Sequence, residues 1–204
     1  MSGPLSGIKV LDLTRVLAGP FCTMLLCDLG ATVIKVERPV TGDDSRGFGP
    51  MVNGESAYFM SINRGKKGIT LNLKRARGRE ILLELAARSD VLVENFRPGT
   101  MERLGLGYER FKEKNPALIY ASSSGFGHSG PLKDRTAYDI VIQGMSGMMS
   151  ITGPDAENQS KVGSSIADIL CGIFTALAIT AALNNRRETG RGQYIDVAML
   201  DCMI

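Results

Sequence analysis

The 204-residue sequence has a single histidine, four cysteines with no CxxC pair, and a formal net charge of only +3. Each shortage excludes something. One imidazole without paired thiols leaves a zinc ion without its usual ligands, so no metal site is expected. Cys22, Cys27, Cys171 and Cys202 sit inside apolar runs, where free thiols behave as small hydrophobes; this is the pattern of a reduced, cytoplasmic protein. So small a net charge gives nucleic acid no bulk attraction, and any polyanion site must come from local placement of basic side chains. Met1 is followed by Ser-Gly-Pro-Leu-Ser-Gly, without the basic start and apolar core of a secretory signal.

What remains is an ordinary globular composition, 44% apolar and 22% charged, long enough for one substantial core. Residues 8–13 are a short apolar strand pattern, and 18–29 a helix with Pro20 near its start and Gly30 at its end. Residues 32–37 are rich in β-branched side chains and run into Arg38-Pro39, which completes a β-α-β opening of parallel type. Residues 41–53, rich in Gly, Asp, Ser and Pro, read as a long loop of the kind that carries function. Further strands are predicted at 69–73, 90–94, 117–122 and 193–197. Helices are predicted at 77–88, at 100–114 in two pieces, at 137–149 and at 165–187. The alternation predicts an α/β fold, a doubly wound, Rossmann-like, mainly parallel sheet with flanking helices. Residues 198–204 begin a helix-like pattern without a stop signal, which suggests a piece of a longer protein.

Residues 166–183 are almost wholly apolar, yet they contain Asp168, Gly172, Thr175 and Thr180. A carboxylate in mid-membrane is costly, so a buried helix and no membrane contact are expected.

Gly125-Phe126-Gly127-His128-Ser129-Gly130 matches GxGxxG after a strand, but the next residues, Pro131 to Arg135, read as loop. A dinucleotide site needs a helix to begin within those glycines, so a flexible loop is the better reading, with His128 solvated on it. Arg38, Arg64, Lys66, Lys67, Lys74, Arg75, Arg97 and Arg103 flank strand candidates. Singly each is surface charge; as a set near strand ends they suit a phosphorylated ligand. Asp168 falls in the first turn of the apolar helix, where Ser164 or Ser165 would cap and the helix dipole would keep the carboxylate ionised. Gly163, Ser164, Ser165 and Ala167 around it are small and leave room for a substrate.

Six motifs run in order over essentially the whole chain: the run from Val10 to Pro20, the run from Gly30 to Glu37, Val93-Glu94-Asn95-Phe96-Arg97-Pro98-Gly99, Ser124-Gly125-Phe126-Gly127, Ala137-Tyr138-Asp139 and Glu188-Thr189-Gly190-Arg191-Gly192-Gln193. Together they resemble the class III, or CaiB/BaiF-type, CoA transferases. The resemblance implies that residues 1–204 are the N-terminal portion of the family's large domain, up to the start of the linker towards a smaller domain. It implies an interlocked homodimer that exchanges CoA between an acyl-CoA and a small carboxylic acid, with no cofactor beyond CoA itself. The family nucleophile corresponds to Asp168, and Tyr138 would stand close to the reacting thioester. CoA contacts correspond to Leu17, Ala18, Arg38, Leu71, Asn72, Leu73, Lys74, Asn95, Phe96, Arg97, Arg103, Arg135, Thr136 and Ala137. Leu17 stands where formyl-CoA transferase has a glutamine, Thr136 where it has a lysine, and Arg15 and Arg46 are candidates to meet a second carboxylate. The sister branch of α-methylacyl-CoA racemases uses a histidine at the position of Tyr138, and a phenol is too weak a base for that role. A CoA-binding fragment without catalysis is the alternative from outside the enzyme class.

Overall fold

The structure, a computed structural model, describes residues 3–204. It opens with β1 (Lys9–Asp12), α1 (Ala18–Asp28) and β2 (Thr32–Glu37). A two-stranded hairpin follows, β3 (Met51–Val52) against β4 (Glu55–Ser56), and then α2 (Ala57–Asn63). The chain returns to the sheet through β5 (Lys67–Thr70), α3 (Ala76–Ala86) and β6 (Val91–Glu94). After α4 (Thr100–Arg103) and α5 (Tyr108–Lys114) come β7 (Ile119–Ser124), α6 (Asp139–Met145), the long α7 (Ile166–Thr189) and β8 (Tyr194–Ala198).

Six strands make one parallel sheet in the order β5-β2-β1-β6-β7-β8. Counting the strands of this sheet alone, the order is 3-2-1-4-5-6, the doubly wound order whose winding reverses between β1 and β6. Alternate residues feed two cores. Val10, Val33, Val91, Val93, Ile119 and Ala121 face Cys22 and Leu26 of α1 and Ala176, Ile179 and Leu183 of α7. Leu11, Val36, Leu92 and Tyr120 face Leu82 of α3, Met101 of α4 and Phe111 of α5. Both faces being covered, the strands read as nearly continuous apolar runs. Fully buried Leu11, Leu26, Leu82, Leu92 and Ile179 each contribute roughly 1.5–3 kcal/mol over an exposed position.

α7 is the apolar helix that composition alone leaves open to a membrane reading. It packs on α1 so closely that a methyl group on Gly172 would lie 2.7 Å from the Ala18 carbonyl oxygen. Gly190, left-handed at φ 67°, ends it.

Most element boundaries fall within two residues of the sequence expectation, and three segments depart further. β5 is Lys67–Thr70, not 69–73, because Asn72 Oδ1 takes the Lys74 amide at 3.0 Å and turns the chain out of the sheet. The helix expected over 137–149 stops at Met145; Gly147 adopts φ 83° and a 3₁₀ turn over Met148–Ile151 follows. Of residues 198–204, Ala198 ends β8 and 199–203 form turns tied to the sheet edge, with Met199 N–H donating to the Ser124 carbonyl at 2.8 Å, and no helix begins there.

Candidate active site

Open parallel sheets bind ligands beyond the carboxyl ends of their strands, where the winding reverses. A cleft of about 700 Å³ lies there. Residues 13–15 after β1, 37–43 after β2, 71–74 after β5, and Phe96, Thr100 and Arg103 after β6 line it. Of the residues expected at CoA, the cleft gathers Arg38, Leu71, Asn72, Leu73, Lys74, Phe96 and Arg103. Its rim is basic. Arg15 and Arg38 both bond Asp44, and Arg103 bonds the Thr100 hydroxyl at 2.9 Å. Its walls are apolar through Leu13, Val36, Leu71, Leu73 and Leu104, which suits a ligand that is part ring and part phosphate.

Beneath the cleft lies a charge network that no sequence pattern signals. Asp12, fully buried, receives Lys66 Nζ at 3.0 Å, the Thr23 hydroxyl at 2.7 Å and the Thr14 amide at 2.8 Å. Burial opposes its charge, but Lys66, Lys35 and the two hydroxyls overcome this and hold the carboxyl below its ordinary range. Lys66 also donates to the Pro20 carbonyl and to Asn63. It is therefore no surface cation of a ligand site, and burial pulls its pKa down. Arg64 pairs with Asp28, and Arg46 grips Glu37 with two bonds of 2.7 Å. Glu37 and Asp44 thus take up the guanidinium groups of Arg46 and Arg15 that were expected to meet a second substrate carboxylate.

Asp168 lies outside this cleft, in the first turn of α7. The expected cap is absent: Ser165 makes no side-chain bond, and Asp139 Oδ1 instead accepts the Ala167 amide at 2.9 Å. Gln143, fully buried, holds the other Asp139 oxygen at 2.6 Å and accepts the Val162 amide at 2.8 Å. Two acids therefore share one helix start. Burial, and then the charge of Asp139, push the Asp168 carboxyl up to about 6, while the Ala18 amide works the other way. Loss of water thus outweighs the helix end, although a carboxyl near 6 remains mostly ionised at neutral pH. Tyr58, on α2, is the neighbour that sequence reasoning missed; burial and the charge of Asp168 raise its phenol to about 12, keeping it neutral. Its signal was the start of α2, where the Ser56 hydroxyl accepts the Phe59 amide at 3.0 Å.

Leu17 and Ala18 sit on the Asp168 side, where Ala18 packs with Ala137, Ala167 and Cys171. Tyr138 is 68% exposed, and Arg135, Thr136 and Arg97 are exposed outside the cleft. Asn95 spends its amide on the backbone of Arg15. His128 is not free in solvent: it meets the Ser122 hydroxyl at 2.7 Å, and its backbone N–H donates to Asp196. Residues 125–130 around it form bends, and no helix starts within them.

A Rossmann-order sheet with a basic cleft at its reversal point, and a half-buried acid on the adjoining helix, defines a doubly wound α/β domain. Similarity to known proteins narrows this class. The model of CoA-transferase family III matches residues 5–204, so the chain belongs to that family. It is 52% identical over 200 residues to acetyl-CoA:oxalate CoA-transferase of Acetobacter aceti, covering 98% of this chain and 51% of that protein. Succinyl-CoA:glutarate CoA-transferase of Mus musculus is 50% identical over 202 residues, covering 98% of this chain and 46% of that one. The crystal structure of a CaiB/BaiF family protein from Brucella suis superposes with a TM-score of 0.95 at 48% identity, covering 100% of this chain and 55% of that chain. The chain thus spans about half the length of the curated relatives it matches.

Proposed function

We propose that the whole protein transfers CoA from an acyl-CoA to a small carboxylic acid through a thioester on Asp168. The observation that carries this reading is the state of Asp168: a carboxyl near 6 is still mostly ionised at neutral pH and is more basic, hence more nucleophilic, than an ordinary aspartate. The relatives named above act on oxalate and glutarate, which favours a small dicarboxylic acid as acceptor.

Each step balances. The Asp168 carboxylate attacks the thioester carbonyl, and the C–S bond breaks to give a mixed anhydride and CoA thiolate. The thiolate then attacks the Asp168 carbonyl, giving the aspartyl-CoA thioester and releasing the donor acid as carboxylate. The acceptor carboxylate reverses the sequence and restores Asp168. No proton is gained or lost. Arg38, Lys74 and Arg103 hold the CoA phosphates, so that the thiolate waits beside the anhydride. The buried wall of Ala18, Ala167 and Cys171 keeps water from it.

A cytoplasmic homodimer completes the reading. The exposed Ile173, Phe174 and Leu177 on α7 support a further protein surface against this half. In the full-length protein, Asp168→Ala abolishes transfer while acyl-CoA binding, read by calorimetry, stays within about threefold. Transfer by that variant would remove the reading.

A further inference from the structure

The loop from β1 to α1 joins the cleft to the Asp168 side, and Thr14, Arg15 and Val16 within it are each tied. The Thr14 amide and hydroxyl donate to Asp12 Oδ1 at 2.8 and 2.5 Å, and its carbonyl accepts Lys35 Nζ at 2.8 Å. Arg15 is gripped from both sides by one side chain. Its N–H donates to Asn95 Oδ1 at 2.9 Å and its carbonyl accepts Asn95 Nδ2 at 2.8 Å. The Val16 amide donates to Asp43 Oδ1 at 3.1 Å, and Lys35 pairs with the second Asp43 oxygen at 2.9 Å, both side chains nearly inaccessible.

The residue so fixed is strained. Val16 has φ 66°, in the left-handed region that a β-branched side chain avoids, and such strain persists only where the surroundings over-determine it. Just beyond it, Ala18 packs on Ala167 and Cys171 of α7, with its carbonyl against Gly172. The left-handed step therefore decides where the Leu17–Ala18 backbone meets the first turn of α7.

We propose that Asn95, Asp43 and Lys35 are positioning residues for the transfer reaction, holding Val16 left-handed so that the Leu17–Ala18 backbone stands beside Asp168. The proposal rests on the CoA-transferase reading. It reassigns Asn95, for which the family resemblance implies a CoA contact, to the backbone of the neighbouring loop. The two roles differ in kinetics. Removing a group that binds the ligand raises KM, whereas a misplaced backbone beside the reacting carboxylate lowers kcat with binding intact.

The test uses the full-length protein and Asn95→Ala, since Asn95 is only partly buried and uncharged. The expected result is a fall in kcat of about 10-fold to 100-fold with KM for acyl-CoA within about twofold. Adding Val16→Gly to Asn95→Ala is expected to recover kcat to within about threefold of the parent, because glycine takes the left-handed conformation at no steric cost. A raised KM at unchanged kcat, or a glycine that recovers nothing, overturns the proposal. Should Asn95→Ala not fold, Asn95→Asp keeps the acceptor for the Arg15 amide; a smaller kcat loss at constant KM supports the clamp, and a KM effect overturns it. Should the parent protein transfer no CoA, the transferase reading fails on its own. The clamp is then judged by a crystal structure of Asn95→Ala: a relaxed Val16 supports it, and a Val16 still left-handed refutes it.

Discussion

Replacing Asp168 with asparagine removes a charge and keeps the shape, and the structure predicts a more stable, inactive protein. The carboxyl moves from 3.8 to about 6 on folding, chiefly through burial and then through Asp139. The folded state thus binds the proton more tightly than the unfolded chain, so the ionised side chain is a liability above about pH 6, and stability is regained as pH falls towards 3.8. That displacement is worth roughly 3 kcal/mol at pH 7. Asparagine resembles the protonated acid and still offers an oxygen to the Ala18 amide. Asp168→Asn is therefore expected to gain up to about 3 kcal/mol at pH 7, or ~6–12 °C in Tm for a chain of this size. The gain shrinks below about pH 6 and vanishes near pH 4. Thermal unfolding of both proteins at pH 7 and pH 4 is the assay. A variant less stable than its parent at pH 7, or a gain equal at both pH values, would refute the electrostatic account of Asp168.

Arg38→Ala, at the cleft rim, is expected to raise KM for CoA thioesters by about tenfold or more while kcat changes little, because a charged phosphate contact is worth roughly 1.5–3 kcal/mol. Unchanged saturation kinetics would remove Arg38 from the phosphate site. Lys66→Ala strands the Asp12 carboxylate in a dry interior and is expected to cost about 3–5 kcal/mol in urea unfolding. A loss under about 1 kcal/mol would mean that Lys35 alone satisfies Asp12.

Much of the fold was legible because its parallel strands are buried on both faces. β1, β2 and β6 carry short runs of Val, Ile and Leu bounded by polar residues, and β7 opens on Ile119-Tyr120-Ala121 before turning to serine; runs this short are too brief for helices. β5 departs from expectation for the opposite reason: as an edge strand it begins Lys67-Gly68 and carries one inward apolar residue, Ile69, so the apolar run 69–73 looks more strand-like. The hairpin β3–β4 has two residues per strand, too short to leave a period. α7 announces itself by length and its Gly190 stop.

The site divides similarly. Residues just after each strand gather by topology, so Arg38, 71–74 and Arg103 come together along one cleft. The buried partners do not, because Lys66 and Asp12 are 54 residues apart and a lysine in sequence looks solvated wherever it stands. Likewise, the repulsion of Asp168 by Asp139 depends on α6 meeting α7, which no local pattern encodes. Asn95 keeps its place beside the cleft but turns to the backbone.

The covalent intermediate is the most direct point of attack. Full-length protein is incubated with acyl-CoA, quenched with hydroxylamine and digested, and the peptides are read by mass spectrometry. A hydroxamate on Asp168, in the tryptic peptide that follows Lys161, is the predicted result. A hydroxamate on Asp139 or any other carboxylate, or none from an enzyme turning over, would contradict it.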